Sequence, residues 1–324
     1  MHALRPFTPQ QVRALDGADA FFEAHWRAGF LPNDSTPWAI PWLGDAMVLY
    51  FWKDALEKAG IRDAQAAFAT DAALFDTLEK LQNSVSPYPL ALTTYRDMSM
   101  TLHEAIHWVW NAGGDLMDAD HRHVTFNQPA ALEGLKNYFR LKRFISPETL
   151  TVSSSGVLFF EAQEAVIHFA GPWMGLVGPS VHPEWRARLG VATAPGAAYV
   201  GGESFVIWQY SPHYSEAFEL VRFLSSQPAH MPASPHSHQL PIRREAVYMP
   251  SVETDVFHRT YLQALQSGRS FPSVRLWGSI EDKLTIAITH IWAELFANPA
   301  QDLDECLHSY LDPLAERLNT TLGH

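Results

Sequence analysis

A chain of 324 residues with 47% hydrophobic and 18% charged side chains has the balance of a folded globular protein, long enough for two domains or one large one. Its net charge of −12 argues against nucleic acid and anionic membrane surfaces as partners, since neither gains from a polyanion. Cys306 is the single cysteine, which excludes an intrachain disulfide and a cysteine metal cluster, and no apolar run approaches the roughly 20 residues that span a bilayer.

The N-terminal stretch MHALRPFTPQQVRALDG has no basic n-region, apolar h-region or small-residue cleavage site. It reads as a turn followed by a polar helix, then a loop through Pro32, Asn33, Asp34 and Pro37. Residues 38–51 are apolar and rich in β-formers, and read as one strand crossing the molecule. A helix from Trp52 to Ala59 ends at Gly60, a good C-cap. Two or three helices follow to Leu81, then a short buried strand in LALTTY after Pro87 and Pro89. A helix carries His103 to Trp110 and stops at Gly113-Gly114.

Pro129 opens the next helix, with Leu132, Leu135 and Phe139 on its apolar face. Residues 151–156 read as a polar turn. A helix with Glu161 and Glu164 then precedes a strand at Val166–Phe169, which runs into a Gly171-Pro172-Trp173 loop. Residues 178–196 read as a surface excursion. A Gly201-Gly202 turn leads into a strand at Ser204–Tyr210, a helix at Glu216–Leu224 and a His/Pro-rich loop from 227 to 239. The last third is helical, with Ile280, Leu284, Ile288, Ile291 and Leu295 at helical spacing. Helices alternating with short apolar strands make the class α/β. No Walker A or G-x-G-x-x-G supports nucleotide binding.

Two patterns carry chemistry. His103-Glu-x-x-His107 is the zinc-peptidase spacing: on a helix both imidazoles share one face, and Glu104 would polarise a water. Glu133 is the best candidate for a third ligand. The competing reading is that Glu104 and His107 only cap and pack their helix. His230, His236 and His238 offer a second, looser metal-type cluster. The other pattern is aromatic: Trp38, Trp42, Trp173 and Trp277 all lie beside Gly or Pro or at loop edges. Such rings either pack or present a flat face to an apolar ligand surface.

Several segments, in order, resemble the maltose-type, family 1 solute-binding proteins that serve ABC importers. They are WAIPWLGDAMVLYFWKDALEKAGI, WVWNAGGDLMDAD with VTFNQPAALEGLKNYF, AQEAVIHFAGPWM, YVGGESFVIWQYSPHYSEAFELVRFLSS, LPIRREAV and LWGSIEDKLTIAITHIW. The resemblance implies a type II periplasmic-binding-protein fold: two lobes, a hinge and an interlobe cleft. It places the crossover strand near Trp38, so the first lobe is expected to lack the family's N-terminal quarter. The expected lobes are 1–46 plus 203–241, and 47–202 plus 242–324.

The resemblance further implies a sugar or oligosaccharide ligand, permease subunits as partners, an extracytoplasmic location, a monomer, and neither catalysis nor a cofactor. The zinc peptidase is the alternative. By position, the resemblance assigns Asp45 as an acceptor for sugar hydroxyls and Trp173 and Trp277 as stacking platforms. His103 would stack or donate, and Gly201-Gly202 would let backbone N–H groups approach the ligand. Glu203 stands where the family has a small polar residue. Trp42 either meets the ligand or buttresses the hinge.

Overall fold

The computed structural model describes residues 3–95, 100–152, 155–229, 239–247 and 255–323. In chain order the strands are β1 Leu4–Arg5, β2 Ile40–Ala46, β3 Val48–Trp52, β4 Leu90–Ala91, β5 Ile167–Ala170, β6 Leu189–Ala192, β7 Val200–Phe205, β8 Ile207–Trp208 and β9 Leu240–Pro241. The helices are α1 Pro9–Arg13, α2 Glu23–Arg27, α3 Lys53–Lys58, α4 Ala64–Ala67, α5 Asp71–Ser84, α6 Met100–Asn111, α7 Pro129–Arg140, α8 Ser155–Glu161, α9 Pro172–Val181 and α10 Trp185–Arg188, followed by α11 Tyr214–Leu224, α12 Arg244–Val247, α13 Val256–Ser267, α14 Trp277–Ala297 and α15 Leu303–Leu322. Starts follow capping chemistry. Thr8 and Gln11 form a reciprocal capping box, Thr70 accepts from the Ala73 amide, and Asp302 accepts from the Glu305 amide.

The chain divides into two compact units. Unit 1 comprises residues 1–48, 171–186 and 198–275. Its main sheet has the order β7-β2-β9, and a second sheet pairs β1 with β8. Both β2 neighbours run antiparallel to it. Residues α13 and Ile242 pack with this sheet, with Tyr261, Ala264, Leu265 and Ile242 buried. Arg243 is buried, and its guanidinium reaches Asp16 Oδ2 at 2.5 Å and the Ser225 carbonyl at 3.0 Å. These bonds offset part of the cost of burying the charge, while Arg243 Nε has no hydrogen-bond partner among the described residues.

Unit 2 comprises residues 49–170, 187–197 and 276–324. Its sheet has the order β4-β5-β3-β6, with β4–β5 parallel and β3–β6 antiparallel. The α6 helix is buried nearly all round, with Thr101, Glu104 and His107 enclosed beside its apolar residues. The α7 helix approaches it so closely that a Cβ on Gly134 would lie 2.4 Å from the Trp108 carbonyl oxygen. The expected α14 stripe (Ile280, Leu284, Ile288, Ile291, Leu295) is buried throughout. Trp292 of that helix packs edge-on against Tyr138 and Phe139.

Several expectations change. The single crossing strand is two, β2 and β3, separated at Met47 and belonging to different sheets. Residues 47–48, 171–186, 198–202 and 242–275 fall in unit 1, whereas the resemblance implied the second lobe for them. The reason is contact: β9 pairs with β2, Arg243 bonds to Asp16, and Tyr261 donates to the Pro172 carbonyl at 3.4 Å. Gly171-Pro172-Trp173 is a helix start, since proline at the first helical position loses no hydrogen bond. Within the presumed excursion, Leu189–Ala192 is a strand on β3. The expected helix through Glu164 ends at Glu161, where Gln163 takes a left-handed φ of 59°. Gly201-Gly202 lies inside β7 and makes no turn.

Gly202 has φ +134°, and a Cβ there would stand 2.1 Å from the Leu43 carbonyl oxygen and 2.7 Å from Gly44 Cα. Both the backbone angle and the space demand glycine. Gly202→Ala is expected to destabilise the protein by about 2 kcal/mol or more, measured by urea denaturation. A loss under about 0.5 kcal/mol, the scale of ordinary surface substitutions, would mean the two strands are not in contact here.

Candidate functional site

The named residues fall on both units. Trp42, Asp45, Trp173, Gly201, Gly202 and Glu203 belong to unit 1, and His103 and Trp277 to unit 2.

In unit 1, antiparallel pairing brings five of them onto adjacent strands. Asp45 stands opposite Gly201, Gly44 opposite Gly202, and Leu43 opposite Glu203. The register shifts between Pro41 and Leu43, so Trp42 sits at a bulge. Its ring leans on Phe205 with centroids 4.7 Å apart. Its indole N–H is buried and has no hydrogen-bond acceptor among the described residues. Asp45 Oδ2 accepts a 3.2 Å bond from the Gln239 amide. Behind the strands, the His25 Nε2–H donates to the Gly201 carbonyl at 2.8 Å. Burial lowers the His25 pKa to about 4, against a smaller opposing pull from that bond. The ring is therefore neutral near pH 7.

Glycine at 202 is explained by the sheet itself, whereas Glu203 is exposed on the β7 edge. Trp173 is the second residue of α9 and half-buried. Its ring lies across Gly171, where a Cβ would meet a ring carbon at 1.9 Å. Gly171 is thus what allows that ring position.

In unit 2, His103 of α6 has Nε2 3.3 Å from Glu281 Oε1 of α14, and both side chains are mostly buried. Trp277 is the first residue of α14, one turn before Glu281. The structure thus gathers an imidazole, a carboxylate and an indole around the start of α14.

The zinc constellation does not assemble. Glu104 is 1% exposed and accepts from the Thr93 amide at 2.9 and 3.2 Å. Burial outweighs those bonds and pushes its carboxyl well above the usual carboxylate range. His107 stacks on Phe169 with centroids 5.0 Å apart, and burial lowers its pKa to about 3 despite a bond to the Glu104 carbonyl. Glu133 is exposed beside Lys136 and Arg140. Among the described residues, no group of three His, Cys, Asp or Glu is placed to hold a metal. His230, His236 and His238 lie outside the described residues.

Phe205, Gln239, His25 and Glu281 are partners that sequence reasoning missed. Glu281 alone had a signal, four residues after Trp277 on a strongly periodic helix. The others depend on strand register and on contacts distant in sequence.

Comparison with known proteins settles the family. The family model described as bacterial extracellular solute-binding protein matches residues 3–231. The chain belongs to that family. A probable ABC transporter-binding protein of Deinococcus radiodurans is 24% identical over 264 residues, covering 77% of this chain and 57% of the relative. The chain thus spans little more than half the length of that curated relative.

Solved structures share the fold. The sugar-binding protein MalE from Xanthomonas citri gives a TM-score of 0.81 at 20% identity, over 99% of this chain and 79% of that one. Maltose-bound T. maritima MalE3 gives 0.80 at 20% identity, over 96% and 80%. The cyclic α-maltosyl-1,6-maltose binding protein from Arthrobacter globiformis gives 0.76 at 19% identity, over 96% and 77%. The architecture is therefore the α/β fold of maltose-type binding proteins.

The buried groups set opposite pH responses. His25, His107 and His168 have folded pKa values of about 4, 3 and 4, below the ordinary 6.5. The unfolded chain gains their protons first, so their stability is complete above pH 6.5 and is lost as pH falls toward 4. His107→Phe should reduce the slope of stability against pH near pH 5 by about 1.4 kcal/mol per unit, read from urea curves at pH 5 and 6. An unchanged slope would contradict a buried neutral imidazole.

Glu104 acts the other way. Its folded pKa is raised, so its contribution is full below the ordinary 4.5 and is lost as pH rises toward the folded value. Glu104→Gln should therefore match or exceed wild-type stability at pH 8. Glu104→Ala should cost about 1–3 kcal/mol by leaving the Thr93 amide unpaired. If Gln were as damaging as Ala in denaturation, the carboxyl would not be neutral.

Proposed function

We propose that this chain captures a sugar or oligosaccharide outside the cytoplasm as the solute-binding subunit of an ABC importer and delivers it to membrane permease subunits. Family membership supports solute binding, and the fold is one used by binding proteins for maltose and related saccharides. The observation that carries the saccharide reading is the grouping on β2 and β7. Trp42, whose indole N–H is buried and unsatisfied among the described residues, shares β2 with Asp45, and Glu203 lies on the adjoining strand β7.

That chemistry suits a sugar. The C–H faces of a pyranose stack on indole rings, and its hydroxyls donate to carboxylates in charge-assisted hydrogen bonds. Trp173 on α9, and His103 with Trp277 in unit 2, supply further surfaces of the same type. Affinity then rests on ring burial and hydroxyl pairing, with no bond made or broken. No cofactor is required.

A thermal melt of the purified chain against mono- and oligosaccharides, with amino acids as controls, tests this reading. Ligand at 100 times its Kd stabilises the folded state by about 2.7 kcal/mol, a rise of several degrees. The rise should appear with one saccharide class and not with amino acids. Trp173→Ala should weaken that saccharide at least tenfold, about 1.4 kcal/mol, while leaving the unliganded melt cooperative. A melt unmoved by every saccharide would sink the proposal, and undiminished affinity in Trp173→Ala would remove that residue from the site.

A further inference from the structure

Asp45 lies near the end of β2 with a strand on either side, and the register fixes what stands opposite it. On β7 its partner is Gly201, which has no side chain to offer. On β9, Leu43 pairs with Pro241 and Gly44 with Leu240, so the same antiparallel register carried one step further brings Gln239 opposite Asp45. Directly opposed side chains on one face of a sheet meet. Here the Gln239 Nε2–H donates to Asp45 Oδ2 at 3.2 Å, and both residues are half-buried. The two are 194 positions apart in the chain, so the β2–β9 pairing is what joins them.

We propose that Gln239 is a positioning residue of the saccharide site: it fixes the direction of the Asp45 carboxylate and so sets which pattern of sugar hydroxyls is accepted. This role rests on Asp45 being an acceptor for sugar hydroxyls. Three features of the pair carry it. The first is preorganisation. A carboxylate turns about its side-chain torsions, and tying Oδ2 to Gln239 restricts that rotation before a sugar arrives, which lowers the ordering cost of binding.

The second is charge. A Gln amide donates without carrying a charge, so it orients the carboxylate and leaves its pull on hydroxyl donors intact. Lys or Arg at this position would offset that pull. The third is anchorage. Gln239 immediately precedes β9, where Leu240 is 3% exposed, and Ile242 just beyond is wholly buried. Asp45 lies between Gly44 and Ala46, both buried in β2. A fixed donor acting on a fixed acceptor selects hydroxyls by direction, and a site built to pair a hydroxyl rejects a sugar that does not present it.

Isothermal titration calorimetry on the full 324-residue chain tests the proposal, with glucose, galactose, maltose and maltotriose as probes. Gln239→Glu keeps the side-chain length, removes the donor and sets a second acid against Asp45. It should weaken the best-bound probe by about tenfold or more. A side chain that only packed would tolerate this isosteric change. Gln239→Met removes the donor without adding charge, so it should cost less and should narrow the preference between glucose and galactose, which differ at one hydroxyl. In an Asp45→Asn background, Gln239→Glu should cost no more than about twofold, because an amide at position 45 can donate to the new carboxylate. Thermal melts of every variant should stay cooperative.

Binding by Gln239→Glu within about twofold of wild type overturns the positioning role and leaves the saccharide reading standing. An equal loss with and without Asp45→Asn overturns it as well, since that pattern marks a general disturbance of the β9 edge. A wild-type chain that binds none of the probes removes the saccharide site and this role together, a result seen before any variant is made.

Discussion

The run from Ile40 to Trp52 is the constraint on which both units depend. It supplies an interior strand to each main sheet: β2 lies between β7 and β9, and β3 between β5 and β6. Almost every residue in it is buried. Interior strands are covered on both edges and both faces, so their side chains need to be apolar or paired. That is why the segment reads as one continuous apolar strand. The change of sheet occurs at Met47, whose amide bonds to the Tyr199 carbonyl of unit 1.

The candidate site in unit 1 is a consequence of that strand. Gly202 lets β7 come against Leu43 and Gly44, and His25 holds the Gly201 carbonyl from behind. Together they set Asp45 and Glu203 on adjoining strands with Trp42 at the bulge. The cost is visible in the buried imidazole, which stays neutral because burial disfavours its charged form. The same balance recurs in unit 2. There Glu104 and His107 are enclosed by the sheet and neighbouring helices, and a spacing known for metal chemistry is used for packing. What decides between the uses is where the helix faces, and spacing alone does not carry that information.

Strong periodicity made much of the fold legible. The helix from Trp277, the Pro129 helix with Leu132, Leu135 and Phe139, and the helix stop at Gly113-Gly114 all stand where the pattern puts them. Gly113 takes the left-handed φ of 80° expected of a helix end. Weaker segments misled for physical reasons. Leu189–Ala192 is short and contains a glycine, so nothing local marks it as a strand until β3 pairs with it. Gly201-Gly202 has the composition of a turn, yet it is a strand position where another backbone comes too close for a side chain.

By itself the sequence determined the α/β class, the family through ordered segments, the apolar helix faces, and the residues worth testing: Trp42, Asp45, His103, Trp173, Gly201, Gly202, Glu203 and Trp277. The class and the helix faces follow from local periodicity and residue type, and the family and those site residues from the resemblance of segments in order along the chain. Tertiary structure decided the rest. It assigned residues 242–275 to unit 1 through a buried Arg243, paired His103 with Glu281, turned His107 into the core and left Trp208 and Phe223 in water. Each of those outcomes depends on contacts between residues far apart in sequence, and their geometry exists only once the sheets have formed.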